Sequence, residues 1–220
     1  LEMKKVYPQV DDAMIDRTTK MLLSRRDGKG GFHQNQGKYG FAGASKEVTN
    51  AYLVYALAQA GINDLEKEYH TAYTEAIQSE DAYRMALMSL ASTALDKPTA
   101  ALEILGKLRI QVQQLKPGQL KADHSLVRSY GKSLQIETCA LIALAEMHQP
   151  TPDVTYLTPL IEYIISNRNG GYFGSTQGTI LALQALTRYT TLQTKQTPDG
   201  CLLVYKDGAC IESINYNKSQ

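Results

Sequence analysis

Apolar residues recur along this chain at helical spacing, in blocks separated by glycine, proline and short polar runs. Asp12 to Arg26 reads as an amphipathic helix with Ala13, Ile15, Thr19, Leu22 and Leu23 near one side, stopped by Asp27-Gly28-Lys29-Gly30-Gly31. Phe32 and a polar, glycine-rich loop lead to Ser45, an N-cap residue, and Val48 to Ala60 forms an Ala/Leu helix closed by Gly61. Asn63 to Ser79 is a further helix, with Leu65, Tyr69, Tyr73, Ala76 and Ile77 on one face. The strongly apolar Asp81 to Leu95 follows, and Lys97-Pro98 opens the next helix, Thr99 to Gln113. Pro117-Gly118 breaks the pattern, and a loop runs through His124 to Gly131 before a second Ala/Leu helix, Leu134 to Met147. Pro150 and Pro152 separate it from Tyr156 to Ser166. Asn169 to Tyr189 then joins a glycine turn with two aromatics, a Ser-Thr-Gln cap and a third Ala/Leu helix.

Three of these stretches share one grammar: Gly30 to Gly61, His124 to Met147 and Asn169 to Tyr189. Their Ala-Leu pairs give the period. Ala143-Leu144 and Ala185-Leu186 stand 42 residues apart, and Ala56-Leu57 precedes the former by 87, two units with Asp81 to Leu95 as the degenerate copy between. Such a spacing without strands predicts stacked helical hairpins. In each unit one helix is rich in small residues all round, as suits burial on several sides, and its partner is amphipathic. Alternating inner and outer helices build an open solenoid or a closed α/α toroid. The predicted fold is therefore all-α, an α/α toroid over residues 1–189.

After Tyr189 the pattern changes. Thr190 to Gly200 is polar and reads as a linker, residues 190–200. Cys201–Tyr205 and Ala209–Tyr216 alternate with β-formers around Lys206-Asp207-Gly208, predicting a short C-terminal β-hairpin within 201–220. A lone hairpin is marginal in water, so this one belongs to a larger β domain. In the expected register Cys210 faces Tyr205 and Cys201 faces Ile214. The two sulfurs would then lie about 13 Å apart at strand rise. That exceeds the Cα separation of about 7 Å that a disulfide allows, and none is predicted. Cys139 lies in an Ala/Leu helix and reads as a small core residue.

A net charge of +1 with charged residues at 20% gives no field that would attract nucleic acid or acidic lipid, so no nucleic-acid partner is expected. No run of about 18 apolar residues is present, and no direct membrane insertion is expected. Neither is a charged-then-apolar leader visible, and the opening LEMKKVYPQV reads as an arbitrary cut.

The wording of the repeats carries more than their period. SKEVTNAYLVYALAQAG at Ser45–Gly61, SYGKSLQIETCALIALAEM at Ser129–Met147 and GGYFGSTQGTILALQAL at Gly170–Leu186 resemble the bacterial branch of the alpha-2-macroglobulin and complement thioester-protein family. Their order and spacing are similar too, including the DAYRMALMSLASTAL and LEILGKL segments between them, and the resemblance covers roughly Asp16 to Tyr189. It implies a thioester-bearing domain, an α/α toroid inserted in a CUB-like β domain to which the terminal hairpin returns. It further implies a protease-trapping (endopeptidase inhibitor) parent, in which this non-enzymatic domain shields or presents the thioester. Target proteases and neighbouring domains of the parent are the expected partners, the location is periplasmic or cell-surface, and no cofactor or metal is implied. The family's chemistry rests on a Cys-x-Glu-Gln motif, which this chain lacks. Cys210-Ile211-Glu212-Ser213 has Ser where the amide must be, and it lies in the hairpin. The family places its motif before the first helix seen here, so the expectation is a chain that starts after it or a member that lost it.

If each repeat runs loop, inner helix, outer helix, the loops before the inner helices collect at one end. Phe32, His33, Tyr39 and Phe41 would then share a rim with His124, Ser125, Tyr172 and Phe173. Phe32, Tyr39, Phe41, Tyr172 and Phe173 are the candidate thioester-shielding residues; the plainer reading is that Phe32, Tyr172 and Phe173 plug the ends of hairpins. His124 is the candidate catalytic residue by resemblance to the complement histidine that transfers the acyl group to hydroxyls, a role imidazole suits; the plainer reading is a solvated loop residue. The same scaffold serves carbohydrate-active and isoprenoid enzymes. For those, Glu47, Asp81 and Glu137 are the candidate acids, Asp11-Asp12 the acidic pair, and Glu137-x-Cys139 a faint ligand pair. Glu137 also reads simply as stabilising the start of its helix.

Overall fold

The computed structural model describes residues 9–34, 43–194 and 200–216, whose regular structure is eight α-helices and one β-hairpin. Contacts divide the chain within its last helix, into Leu1–Ala185 and Leu186–Gln220.

The first unit is built in two layers. Helices α2 (Lys46–Gln59), α4 (Ala82–Ala94) and α6 (Gly131–Met147) form the inner one, with α4 packed against both α2 and α6. Outside them, α3 (Glu66–Ser79) covers α2 and α4, α5 (Pro98–Leu115) covers α4 and α6, and α7 (Val154–Ser166) covers α6. Burial follows composition. Every residue of α6 from Leu134 to Met147 is buried, and on α4 so is every residue from Ala82 to Ser92 except Arg84. Each outer helix buries a single stripe, Ala101, Ile104, Leu105, Leu108 and Val112 on α5 being the clearest. That is the i, i+3/i+4 pattern of a helix with one dry face, each Leu or Ile contributing about 1.5–3 kcal/mol by leaving water. The alternation of inner and outer helices is the predicted one and is compatible with an α/α toroid.

Helix boundaries differ from the sequence pattern for local reasons. Helix α1 (Asp12–Leu23) starts on Asp11, whose carboxylate accepts from the Ala13 N–H at 2.9 Å, and stops short of Arg26. The Asp27 carboxylate gathers the Lys29 and Gly31 N–H groups at 2.8 and 2.9 Å, and Arg26 pairs with Phe32 in an isolated bridge. No α1 residue is buried: Ala13 is exposed, and Ile15, Thr19, Leu22 and Leu23 are half-covered. Helix α3 begins at Glu66 rather than Asn63, with Leu65 buried just ahead of it. Helix α6 begins at Gly131, three residues before the periodic run. Helix α8 (Thr176–Thr194) runs past Tyr189 into the polar stretch, where the Thr190 and Thr191 hydroxyls donate to the Leu186 and Thr187 carbonyls at 2.9 and 3.0 Å.

At the C-terminal end of α6, the Glu146 side chain is fully buried and takes a two-pronged contact from Arg109 of α5, 3.1 Å from Nε and 2.5 Å from Nη2. Its Oε1 also accepts the Asp153 N–H at 3.1 Å, and the Tyr156 ring lies 5.8 Å from the guanidinium. This one carboxylate ties α5, α6 and the start of α7 together.

In the second unit, β1 (Gly200–Lys206) and β2 (Ala209–Tyr216) pair antiparallel about Asp207 and Gly208, both at positive φ. Tyr205 faces Cys210 as expected. A bulge between Val204 and Tyr205 then slips the ladder by one residue, so Cys201 faces Asn215 and Leu202 takes Ile214. Cys201 and Cys210 are exposed free thiols, and Cys139 is free and buried.

Candidate functional site: the N-terminal rim of the inner helices

One loop binds the starts of the inner helices together. Gln135 of α6 grips it first, accepting the Leu120 N–H at 3.0 Å and donating to the Leu120 carbonyl at 2.9 Å. The Ala82 N–H donates to the Lys121 carbonyl at 2.6 Å, and the Asp123 N–H donates to Asp81 Oδ2 at 3.0 Å. The other Asp81 oxygen caps α4, accepting the Arg84 N–H at 2.9 Å. His124 Nε2 accepts the N–H of Ser45, the N-cap of α2, at 3.1 Å. The Leu126 N–H donates to the Tyr83 hydroxyl at 3.3 Å, and the Ser129 N–H closes the loop on Ser125 Oγ at 3.1 Å.

Glu137 lies at the centre. It is fully buried in the second turn of α6, and its Oε1 accepts from Ser129 Oγ at 2.5 Å and from Ser175 Oγ at 2.6 Å. Ser175 stands just before α8, and its oxygen accepts the Gly178 N–H at 2.8 Å. The helix is held so close that a Cβ on Gly178 would lie 2.5 Å from the Phe173 carbonyl. Next along α8, the Gln177 side chain hydrogen-bonds the Tyr52 hydroxyl of α2. The three inner helices and the start of α8 therefore contribute to one polar cluster. Burial pushes the Tyr52 and Tyr83 phenols up, and at Tyr83 the negative charge of Glu137 adds to it. Glu137 Oε2 and His124 Nδ1 are buried with no hydrogen-bond partner among the described residues.

The predicted residues fall into distinct places. Phe32 and Phe173 are buried, each after a glycine turn and each anchored by its amide, Phe32 on Asn50 Oδ1 at 3.2 Å and Phe173 on Thr179 Oγ1 at 3.0 Å. Tyr172 is 71% exposed, in the turn where it pairs with Asn169. Tyr39 and Phe41 lie outside the described residues. His33 is exposed, Ser125 is fully buried, and His124 is half-buried and hydrogen-bonded rather than solvated. Asp81 is spent on capping and the loop. Glu47 sits in the first turn of α2, its carboxyl held low mainly by its own backbone N–H. Asp11 caps α1. Burial pushes the Cys139 thiol up to about 12, which keeps it protonated and unsuited to ligation. Among the described residues no cluster of three or more His, Cys, Asp or Glu could hold a metal.

The family model of the A-macroglobulin TED domain matches residues 1–189. The chain belongs to that family. All three repeated stretches lie inside the matched range, which makes the stitched rim a feature of the TED domain itself, while the hairpin lies beyond it. Cys210-Ile211-Glu212-Ser213 falls on exposed β2, outside the matched TED residues. Among its described residues no helix is long and apolar enough to cross a membrane.

Ser129, Ser175, Tyr52 and Tyr83 completed the cluster without having been singled out for chemistry. Ser175 carried a signal, since it reads as a cap. Ser129 carried none, because a serine in a polar loop looks solvated until the loop is folded onto Glu137.

Proposed function

We propose that this TED domain works as a non-enzymatic part of an alpha-2-macroglobulin-like protease trap, with the N-terminal rim of its inner helices shielding or presenting the parent's thioester. The observation that carries this reading is the convergence of the starts of α2, α4, α6 and α8 on Glu137 and the loop around it. A rim so heavily cross-linked is rigid and largely dry, as protection of a hydrolysable bond requires. The buried carboxylates Glu68, Asp81, Glu137 and Glu146 each have partners of their own, the arrangement of a structural body more than of an acid pair working on a substrate. In this reading Phe32, Tyr39, Phe41, Tyr172 and Phe173 belong to the shielding rim, and His124 holds the loop to α2. The hairpin is the return into a CUB-like domain, the partners are target proteases and neighbouring domains, and the setting is periplasmic or cell-surface.

The test uses the full-length parent. Incubation with a protease should abolish cleavage of a large protein substrate while sparing cleavage of a small chromogenic peptide, and methylamine should release one thiol. Equal loss of both protease activities, or no loss of either, would overturn the trap. If His124→Ala leaves the amine-to-hydroxyl preference of the parent unchanged, the histidine has no acyl-transfer role.

A further inference from the structure

The contact between His124 and α2 constrains both nitrogens of the imidazole. Nε2 lies 3.1 Å from the Ser45 backbone nitrogen. A backbone N–H can only donate, so Nε2 offers its lone pair and the ring is neutral, with its proton on Nδ1. That Nδ1 is buried without a hydrogen-bond partner among the described residues. On either side of His124 the loop is anchored by groups that carry no charge: the Gln135 amide holds Leu120, and the Ser125 hydroxyl accepts the Ser129 N–H. The titratable and charged groups on the surrounding elements are Lys121, Asp123 and Arg128 of the same loop, Lys46 and Glu47 of α2, Glu75 of α3, Asp81, Tyr83 and Arg84 of α4, and Glu137 of α6. Lys46 pairs with Asp27 at 3.1 Å, Lys121 with Glu80 at 2.9 Å, and Arg84 stands 4.0 Å from Asp81. Asp81 and Glu137 serve the cap and the serines described above. With Nε2 on an amide and Nδ1 unpartnered, no carboxylate of this set hydrogen-bonds the ring.

We propose that His124 is a proton-operated latch: neutral, it holds the loop on the N-cap of α2, and on acidification it releases Ser45 and loosens the rim there. Adding a proton removes the lone pair of Nε2, so the ring and the Ser45 N–H become two donors facing each other. It also places a positive charge on a half-buried ring to which no carboxylate is hydrogen-bonded. The contact therefore belongs to the neutral ring. It is present at the alkaline end of the range in which imidazoles titrate, and is lost as pH falls through that range, from about 8 to 5. The anchors at Leu120 and Ser129 use uncharged partners, so the release is local, and the loop stays tied to α6 while it parts from α2. A glutamine or asparagine would accept the same N–H at every pH; the imidazole makes the contact conditional. What this means for a trap rests on the rim being the shielding face. The latch itself is read with no protease or thioester present, so the two readings can fail separately.

The test is hydrogen–deuterium exchange of the 15N-labelled chain, followed by NMR at pH 7.5, 6.5 and 5 and expressed as protection factors, which removes the intrinsic pH dependence of exchange. The Ser45 amide should lose about tenfold in protection between pH 7.5 and 5, while the Leu120 and Ser129 amides keep theirs. His124→Gln, whose side-chain carbonyl accepts without titrating, should abolish the pH dependence at Ser45. His124→Ala should leave Ser45 unprotected at every pH. Ring 15N spectra of the native chain should show Nδ1 carrying the proton at pH 7.5. Constant Ser45 protection in the native chain would overturn the proposal, as would a pH dependence that survives in His124→Gln, protection that persists in His124→Ala, or a neutral ring protonated on Nε2. Joint loss of protection at Ser45, Leu120 and Ser129 would overturn it too, because that is unfolding of the whole loop and not release of a latch.

Discussion

Ser175 Oγ lies 2.6 Å from Glu137 Oε1 and 2.8 Å from the Gly178 amide nitrogen. One hydroxyl thus caps α8 with its lone pair and spends its proton on a carboxylate two helices away in sequence. Ser129 reaches the same oxygen from the loop before α6. Glu137→Ala should cost about 3–4 kcal/mol, because it strands the buried Ser129 hydroxyl, takes a partner from the part-buried Ser175 hydroxyl and opens a void. Ser175→Ala should cost about 1–2 kcal/mol through the lost cap and the lost charge-assisted bond. Urea unfolding of Ser129→Ala, Ser175→Ala and the double variant should show coupling of at least about 0.5 kcal/mol. Strict additivity would mean that the two hydroxyls do not share the carboxylate in solution.

The Arg109–Glu146 pair makes a sharper prediction about charge. Glu146 is completely buried, so Arg109→Met should destabilise by about 3–5 kcal/mol, leaving an uncompensated carboxylate in the core. Replacing both partners, Arg109→Met with Glu146→Leu, should recover much of that loss. Chemical denaturation of the three variants decides it, and a double variant no better than Arg109→Met would refute the account.

Gly178→Ala tests the approach of α8 to the turn before it. The added Cβ would fall 2.5 Å from a backbone carbonyl, which cannot swing aside as a flexible side chain would. A loss of about 2 kcal/mol is expected in spite of alanine's higher helix propensity, against a gain of about 1 kcal/mol at an open helical site. The sign of the change in thermal midpoint is the readout.

Thiol reactivity should divide the cysteines. With its thiol pushed up to about 12 by burial, Cys139 should resist an aromatic disulfide reagent at pH 8, while exposed Cys201 and Cys210 react. Two thiols are expected from the native chain and a third only in denaturant. Three in the native chain would show that α6 opens readily.

Asp27 gives the pH dependence a definite window. Its carboxyl is lowered from 3.8 to about 2, first by the Lys29 and Gly31 N–H groups and further by Lys46. A depressed carboxyl stabilises the fold fully above its unfolded pKa, and that contribution is lost as pH falls from about 4 towards 2. With solvent screening at this turn it amounts to on the order of 1 kcal/mol. Asp27→Asn should therefore lower the unfolding midpoint at pH 6 and make little difference near pH 2. An equal deficit at both pH values would show that the ionised carboxyl is not responsible.

Much of this architecture is legible in the sequence, and the failures are instructive. The Ala/Leu period located α2, α4 and α6 as inner helices because a helix buried all round leaves no polar stripe, as Leu134 to Met147 shows. Phe32 and Phe173 follow glycine turns and are buried, whereas Tyr172, from the same wording, points to solvent. Adjacent residues of an extended turn face opposite ways, and the pattern of letters does not say which faces in. In the hairpin, the single-residue bulge at Val204/Tyr205 exchanged the partner of Cys201, since strand pairing beyond the turn depends on ladder geometry that the turn residues do not encode.

By itself the sequence determined the order and type of the elements, the layer each helix occupies and, through the wording of its repeats, the family. These depend on periodicity and on local turn chemistry, which act between residues close in the chain. Only the tertiary structure decided that Ser129, Glu137 and Ser175 meet, that His124 is bound to Ser45, and that Tyr130 and Tyr172 are exposed. Those contacts span up to 79 residues. They exist because loops before the inner helices are brought to one rim, where a hydroxyl or imidazole that is unremarkable in its own segment finds its partner in another.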